Sequence, residues 1–160
     1  MLEKKDFYIN GSWVAPKSPS DIEVINPATE KVCAVISLGR KDDVNYAVLS
    51  AKEAFKTWGY STREDRITLL ETFYTLYKKR WNDITDAIIQ EMGAPKDFAS
   101  KLQTGAGASH TKSFIRYLKE FEFEKSLGEH AKNQRLIYEP KGVCALITPW
   151  NWPMNQVTLK

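Results

Sequence analysis

One stretch constrains this chain more than any other: the unbroken apolar run Gly142-Val143-Cys144-Ala145-Leu146-Ile147. A run of this kind suits a strand buried on both faces, as the parallel strands of α/β sheets are. It leads into Thr148-Pro149-Trp150-Asn151-Trp152-Pro153, after which Met154 to Lys160 look helical, with Pro153 suited to the first turn. A parallel strand needs neighbours, and a strand-to-helix unit needs a return strand. The 160-residue chain offers one such strand and only the beginning of its crossover helix. The expectation is therefore the front part of a larger α/β protein, cut inside its first strand–helix unit. A complete domain of this length is the alternative.

Composition removes several other classes. Seven Phe, seven Tyr and five Trp, with 27% charged residues, exclude a disordered polyelectrolyte. No apolar run approaches the roughly eighteen residues of a membrane-spanning helix. The start, Met1-Leu2-Glu3-Lys4-Lys5-Asp6, carries acids and no apolar core, so it does not read as a secretory signal, and a cytoplasmic chain is expected. Two cysteines, Cys33 and Cys144, and two histidines, His110 and His130, lie far apart along the sequence. Neither a zinc site, which needs four ligands usually in close pairs, nor a disulfide scaffold fits that pattern. A net charge of +3 is too small to suggest nucleic acid, and Lys78-Lys79-Arg80 reads as a solvated helix end.

The chain divides by pattern into residues 1–40, 41–120, 121–140 and 141–160. In the first block, Phe7-Tyr8-Ile9 and Trp13-Val14 flank Asn10-Gly11, the strongest short hairpin signal. Glu23-Val24-Ile25 and Val32 to Ile36 read as two further extended segments, giving a small β layer. From Asp42 the period changes. Val44, Ala47, Val48, Ala51, Phe55 and Trp58 make one helical stripe that ends at Gly59. Ser61-Thr62-Arg63-Glu64 reads as a capping box opening a second helix. Asn82 or Asp83 is expected to cap a third, stopped by Gly93, and a fourth helical stretch runs from Pro95 to Phe121. Phe121 to Glu124 and Arg135 to Tyr138 read as paired strands around a polar loop.

Ligands of open α/β sheets bind just beyond the carboxyl ends of the strands, which points to Thr148 to Trp152. Asn151 offers an amide donor for a developing oxyanion, between the flat apolar walls of Trp150 and Trp152. The competing reading makes Asn151 a turn residue and the tryptophans core. Gly105-Ala106-Gly107-Ala108-Ser109-His110 falls short of a dinucleotide fingerprint and follows a helix, so close helix packing is the better reading. Cys144 lies within the apolar run and Cys33 in an alternating one, neither beside a base that would activate a thiol.

These residues, taken together, resemble the aldehyde dehydrogenase family. Tyr8-Ile9-Asn10-Gly11-Ser12-Trp13-Val14, Ile25-Asn26-Pro27-Ala28-Thr29-Glu30, and Tyr138-Glu139-Pro140-Lys141-Gly142-Val143 with Ile147 to Pro153 carry the resemblance along the whole chain in the family's order. It implies an α/β fold: the N-terminal part of a Rossmann-like cofactor domain, helix-rich, with a small β layer and part of an oligomerisation hairpin at 121–140. It also implies oxidation of an aldehyde to an acid with hydride transfer to NAD or NADP, through a cysteine thiohemiacetal and thioester. By position, Asn151 would donate to the oxyanion and Lys160 would assist proton relay. Ile147, Thr148, Pro149, Trp150 and Asn151 would face the cofactor, and Trp152 and Gln156 the substrate.

The resemblance also marks what is missing. The family's catalytic cysteine, general-base glutamate and ribose-binding lysine have no counterpart within these residues, so the chain alone is expected to be inactive. The expected partners are a small aldehyde and, for the full-length protein, further copies of itself as a dimer or tetramer, with neither nucleic acid nor membrane. A non-catalytic remnant that docks on a full-length homologue through Phe121 to Tyr138 is the alternative.

Overall fold

The computed structural model describes all 160 residues. Its N-terminal part is a β layer of two small sheets. The hairpin β2 (Phe7–Ile9) and β3 (Ser12–Val14) is antiparallel, with Phe7 opposite Val14 and Ile9 opposite Ser12. Asn10 and Gly11 close it at φ 53° and 76°, the pair of left-handed residues a two-residue hairpin turn requires. Across it Tyr8 and Trp13 meet edge to face at 5.2 Å. The second sheet has the order β1-β5-β4, with β4 (Asp21–Asn26) antiparallel to β5 (Lys31–Ser37) and β1 (Leu2–Lys4) parallel to it. The charged Leu2–Lys4 segment gives no local strand signal. Pairing with Ala34 to Ile36 makes it one.

The helix α1 (Lys41–Trp58) is fastened in its first turn by Asp43, whose buried carboxylate accepts the Arg40 N–H (2.8 Å) and the Lys17 N–H (2.7 Å). These two donors hold the Asp43 carboxyl below the usual carboxylate range. The apolar stripe of α1 is only partly covered: Val44, Val48 and Trp58 remain exposed.

The second helix, α2 (Arg63–Lys79), is capped one residue later than expected. Thr62 Oγ1 accepts the Asp65 N–H (3.1 Å) and the Asp65 carboxylate accepts the Thr62 N–H (2.9 Å). Ser61 is unavailable, because its hydroxyl donates to the Trp58 carbonyl at the end of α1. The third helix, α3 (Trp81–Met92), has no side-chain cap, so neither Asn82 nor Asp83 plays that part. Only Arg80 separates α2 from α3; its N–H bonds back to Leu76 O, and its guanidinium takes Asp83 as an ion partner at 3.1 Å. Gly93, at φ 65°, ends α3 where a Cβ would fall 2.8 Å from the Ala28 nitrogen.

The long fourth helical stretch is two structures. Phe98–Thr104 is π-helical, and α4 (Gly105–Glu120) continues from it. Around the join lies the core: Ile88, Ala94 and Ala99, packed by Ile84, Ile89, Met92, Phe98 and Met154. Polar groups tie it together, with Tyr77 donating to Thr104 O (2.9 Å), Thr85 and Thr104 sharing a hydroxyl bond (3.0 Å), and Trp81 Nε1 donating to Ser100 Oγ (3.0 Å).

After α4, β6 (Glu124–Ser126) and β7 (Arg135–Ile137) form an exposed antiparallel hairpin with a 3₁₀ turn at Glu129–Ala131. The strands begin at Glu124, one further backbone bond joins the Tyr138 N–H to Phe123 O (2.8 Å), and Phe121 lays its ring against Phe123 (4.9 Å) and Tyr138 (5.1 Å). The apolar run departs furthest from expectation. Gly142 to Ile147 is not a buried strand: Leu146 and Ile147 are 59% and 82% exposed, Cys144 is exposed, and no backbone hydrogen bond joins this run to any other part of the chain. A strand exists only by its neighbours' hydrogen bonds, and none of the chain's other strands lies beside it. The chain closes with α5 (Pro153–Leu159), Pro153 in its first turn, packed on α4 and the π-helical turn.

Candidate functional site: the Pro-Trp-Asn loop

The extended run delivers Thr148, Pro149 and Trp150 to solvent, with Trp150 78% exposed. Pro149 and Pro153 stiffen the loop at both ends and remove backbone donors there. Between them, Asn151 is exposed and Trp152 half-buried. Trp152 meets Phe98 of the π-helical turn edge to face at 5.7 Å, so of the two tryptophans it alone fills core space. The Asn151 backbone carbonyl accepts the side-chain N–H of Gln103 at 3.3 Å. The Asn151 side chain itself has no partner within the chain and is free to meet a ligand.

Two further contacts fasten α5 and the chain end. His110 Nε2 shares a hydrogen bond with Asn155 Oδ1 at 2.7 Å, joining α4 to α5. Lys160 Nζ donates to the Ile147 carbonyl, returning the end of the chain to the start of the loop. Gln156 is half-buried, and its backbone N–H closes the first turn of α5 on Trp152 O at 3.0 Å. The structure thus brings together Ile147 with Lys160 and Trp152 with the helical body, and turns Thr148, Pro149, Trp150 and the Asn151 side chain outward.

Gln103, His110, Asn155 and Phe98 complete this neighbourhood. In the sequence His110 stands out only as an isolated histidine. Gln103 and Phe98 sit in a stretch whose winding the Gly105 and Gly107 positions obscure. The Gln103 side chain is fully buried, and its Oε1 has no partner. An unmade hydrogen bond at a buried acceptor costs about 1–3 kcal/mol. No cluster of His, Cys, Asp and Glu fit to hold a metal ion is present. Neither cysteine has a basic partner: Cys33 donates to Val24 O at 3.3 Å, and Cys144 lies only near Gly142 O. No helix is long and apolar enough to cross a membrane.

Known structures share this fold. An aldehyde dehydrogenase from Bartonella henselae superposes with a TM-score of 0.97 at 49% identity, over 100% of this chain and 34% of that one. A mutant of aldehyde dehydrogenase C from Pseudomonas syringae, solved with NAD+ and octanal, gives a TM-score of 0.92 at 39% identity over 98% of this chain and 31% of that one. The fold is therefore that of an α/β dehydrogenase. The sequence model of the aldehyde dehydrogenase family matches residues 13–160, and the chain belongs to that family. The 3-succinoylsemialdehyde-pyridine dehydrogenase of a Pseudomonas species is 44% identical over 161 aligned residues, 100% of this chain and 33% of that protein. The chain spans about a third of the length of the curated relatives it matches.

Proposed function

We propose that this chain is the front part of an NAD(P)-dependent aldehyde dehydrogenase, supplying the oxyanion donor and one wall of the cofactor site. The observation that carries the reading is the free Asn151 side chain, presented by a loop whose backbone is fastened through Gln103. An amide donor aimed at a carbonyl oxygen stabilises the negative charge that develops as the carbonyl is attacked.

The residues present fit a nicotinamide dinucleotide. Ile147, Thr148, Pro149 and Trp150 form an exposed apolar and hydroxyl-bearing edge, and the backbone of residues 143–150 forms no backbone hydrogen bond that a ligand would have to displace. These residues, with Asn151, would hold the dinucleotide, which when bound supplies the hydride acceptor. Trp152 and Gln156 border the substrate side. Lys160, held against the Ile147 carbonyl, is placed to carry a proton at its ammonium group. The helical block 41–120 serves as the support of the cofactor domain, and the exposed hairpin within 121–140 serves self-assembly of the whole enzyme, its strands β6 and β7 being exposed throughout. The substrate class is a small aldehyde, in keeping with the octanal bound by the Pseudomonas syringae relative.

The chain alone lacks a thiol with a base beside it, so it does not turn over aldehydes by itself. NADH formation from NAD+ and octanal tests both halves. The 160-residue chain is expected to show none, and the complete enzyme carrying it is expected to be active, with Asn151→Ala lowering kcat by roughly a hundredfold or more. Turnover by the chain alone, or full activity without the Asn151 amide, would overturn the reading.

A further inference from the structure

We propose that Gln103 is a positioning residue for the Asn151 loop: its side-chain N–H, donated to the Asn151 carbonyl, fixes the direction in which the Asn151 amide leaves the backbone. The proposal rests on the reading of Asn151 as oxyanion donor. The π-helical winding of Phe98–Thr104 seats Gln103 in a seam where Ala99, Gln103 and Thr104 are all fully buried. Single π turns inside longer helices recur at functional sites. Three hydrogen bonds anchor this turn to the rest of the bundle, from Trp81 to Ser100, from Tyr77 to Thr104 O, and between Thr85 and Thr104. Gln103 is therefore mounted on a rigid base.

On the other side, the loop depends on that mount. Residues 148–151 make no backbone hydrogen bond, and the Gln103 contact is the polar link between them and the helical body. Packing alone does not explain a glutamine here. A leucine or methionine would fill the seam without leaving a buried acceptor unpartnered, as Gln103 Oε1 is. What glutamine adds over those side chains is the bond to Asn151. Because the carbonyl and the side chain belong to the same residue, a loop freed at the carbonyl lets the amide swing, and small misplacements of a catalytic group cost rate steeply.

The test is a double-mutant cycle in the complete dehydrogenase carrying this chain. Gln103→Met keeps the volume and removes the donor. It is expected to lower kcat at least about tenfold while KM for NAD+ stays within about twofold. In an Asn151→Ala background the same change is expected to add little, since the group it positions is gone. In Gln103→Glu the protonated carboxyl can donate and the carboxylate cannot, so activity relative to the parent is expected to rise as pH falls. Should Gln103→Met not fold, that pH profile supplies the comparison within one protein. Independently of activity, a crystal structure of the complete Gln103→Met enzyme is expected to show the Asn151 side chain in more than one orientation, with α2 unchanged. An equal loss of kcat in both backgrounds, a flat Gln103→Glu profile or a single, parent-like Asn151 orientation in Gln103→Met would overturn the inference. Retention of full kcat by Asn151→Ala would instead overturn the reading on which it rests.

Discussion

The phenol of Tyr77 on α2 occupies the space that a side chain at Gly107 on α4 would need: a Cβ at Gly107 would fall 2.4 Å from Tyr77 Oη. The hydroxyl is held there by its bond to Thr104 O. Gly107→Ala therefore has to displace a fixed ring, costing about 1–3 kcal/mol through overpacking, against which alanine's better helix propensity returns at most about 1 kcal/mol. Gly105 lies on the same helix with its nearest neighbour atom 3.9 Å from the corresponding Cβ, so Gly105→Ala should be neutral or stabilising. Urea midpoints of the two variants check the difference in sign.

Burial pushes the Tyr77 pKa up to about 12 from the ordinary 10.0. The neutral phenol is the form the fold accepts. Stability is thus complete below pH 10, where unfolded tyrosine holds its proton, and falls as pH rises toward 12. Asp65 behaves in the opposite sense. The Thr62 hydroxyl and backbone N–H hold its carboxyl below 3.8, so its contribution is present above that pH and is lost as acid protonates it. Tyr77→Phe is expected to flatten the alkaline limb of a stability–pH curve, and Asp65→Asn the acid limb. Removing the cap hydroxyl with Thr62→Ala should cost about 1 kcal/mol at neutral pH.

Short-range chemistry decides the features that are legible in the sequence. Asn10-Gly11 demands left-handed backbone and makes a hairpin; the spacing of apolar residues marks the helices; the Gly105 and Gly107 positions signal close helix packing, for which Tyr77 accounts. Features that are not legible depend on partners distant in sequence. Leu2–Lys4 is a strand because of Ala34 to Ile36, and Gly142 to Ile147 is not one because nothing in the chain pairs with it. At the site, Asn151 and Trp150 are found by their place after an apolar run. Gln103 is not, since an i to i+5 winding has no periodic signature within a single turn.

Gly11 and Gly93 share a positive φ and differ in the space around the missing Cβ. Gly11 stands at φ 76° with open space around the missing Cβ, so Gly11→Ala carries only the left-handed backbone cost of about 1–2 kcal/mol. Gly93 stands at φ 65° with Ala28 at 2.8 Å, and adds overpacking of about 1–3 kcal/mol against backbone that has no room to yield. Gly93→Ala is expected to be clearly the worse of the two in thermal denaturation. Equal losses would mean that the contact between the α3 terminus and the Ala28 turn is not formed.

The exposed run before the loop governs solution behaviour. Leu146 and Ile147 stand in solvent on a backbone that makes no backbone–backbone hydrogen bond, the Ile147 carbonyl meeting only the Lys160 ammonium, in a run of uncharged residues from Gly142. Such a segment is a template for pairing with another copy of itself. Ile147 touches little, so Ile147→Lys should leave the stability within about 0.5 kcal/mol of the parent chain, whereas Ile88→Ala in the core should cost about 2–5 kcal/mol. A charge on the same backbone interrupts the apolar edge and repels a second copy. Light scattering of the 160-residue chain across concentration is expected to show self-association that Ile147→Lys suppresses and Ile88→Ala does not. A parent chain that stays monodisperse would mean that the run is shielded from its own copies by Lys141 and Pro149 at its two ends.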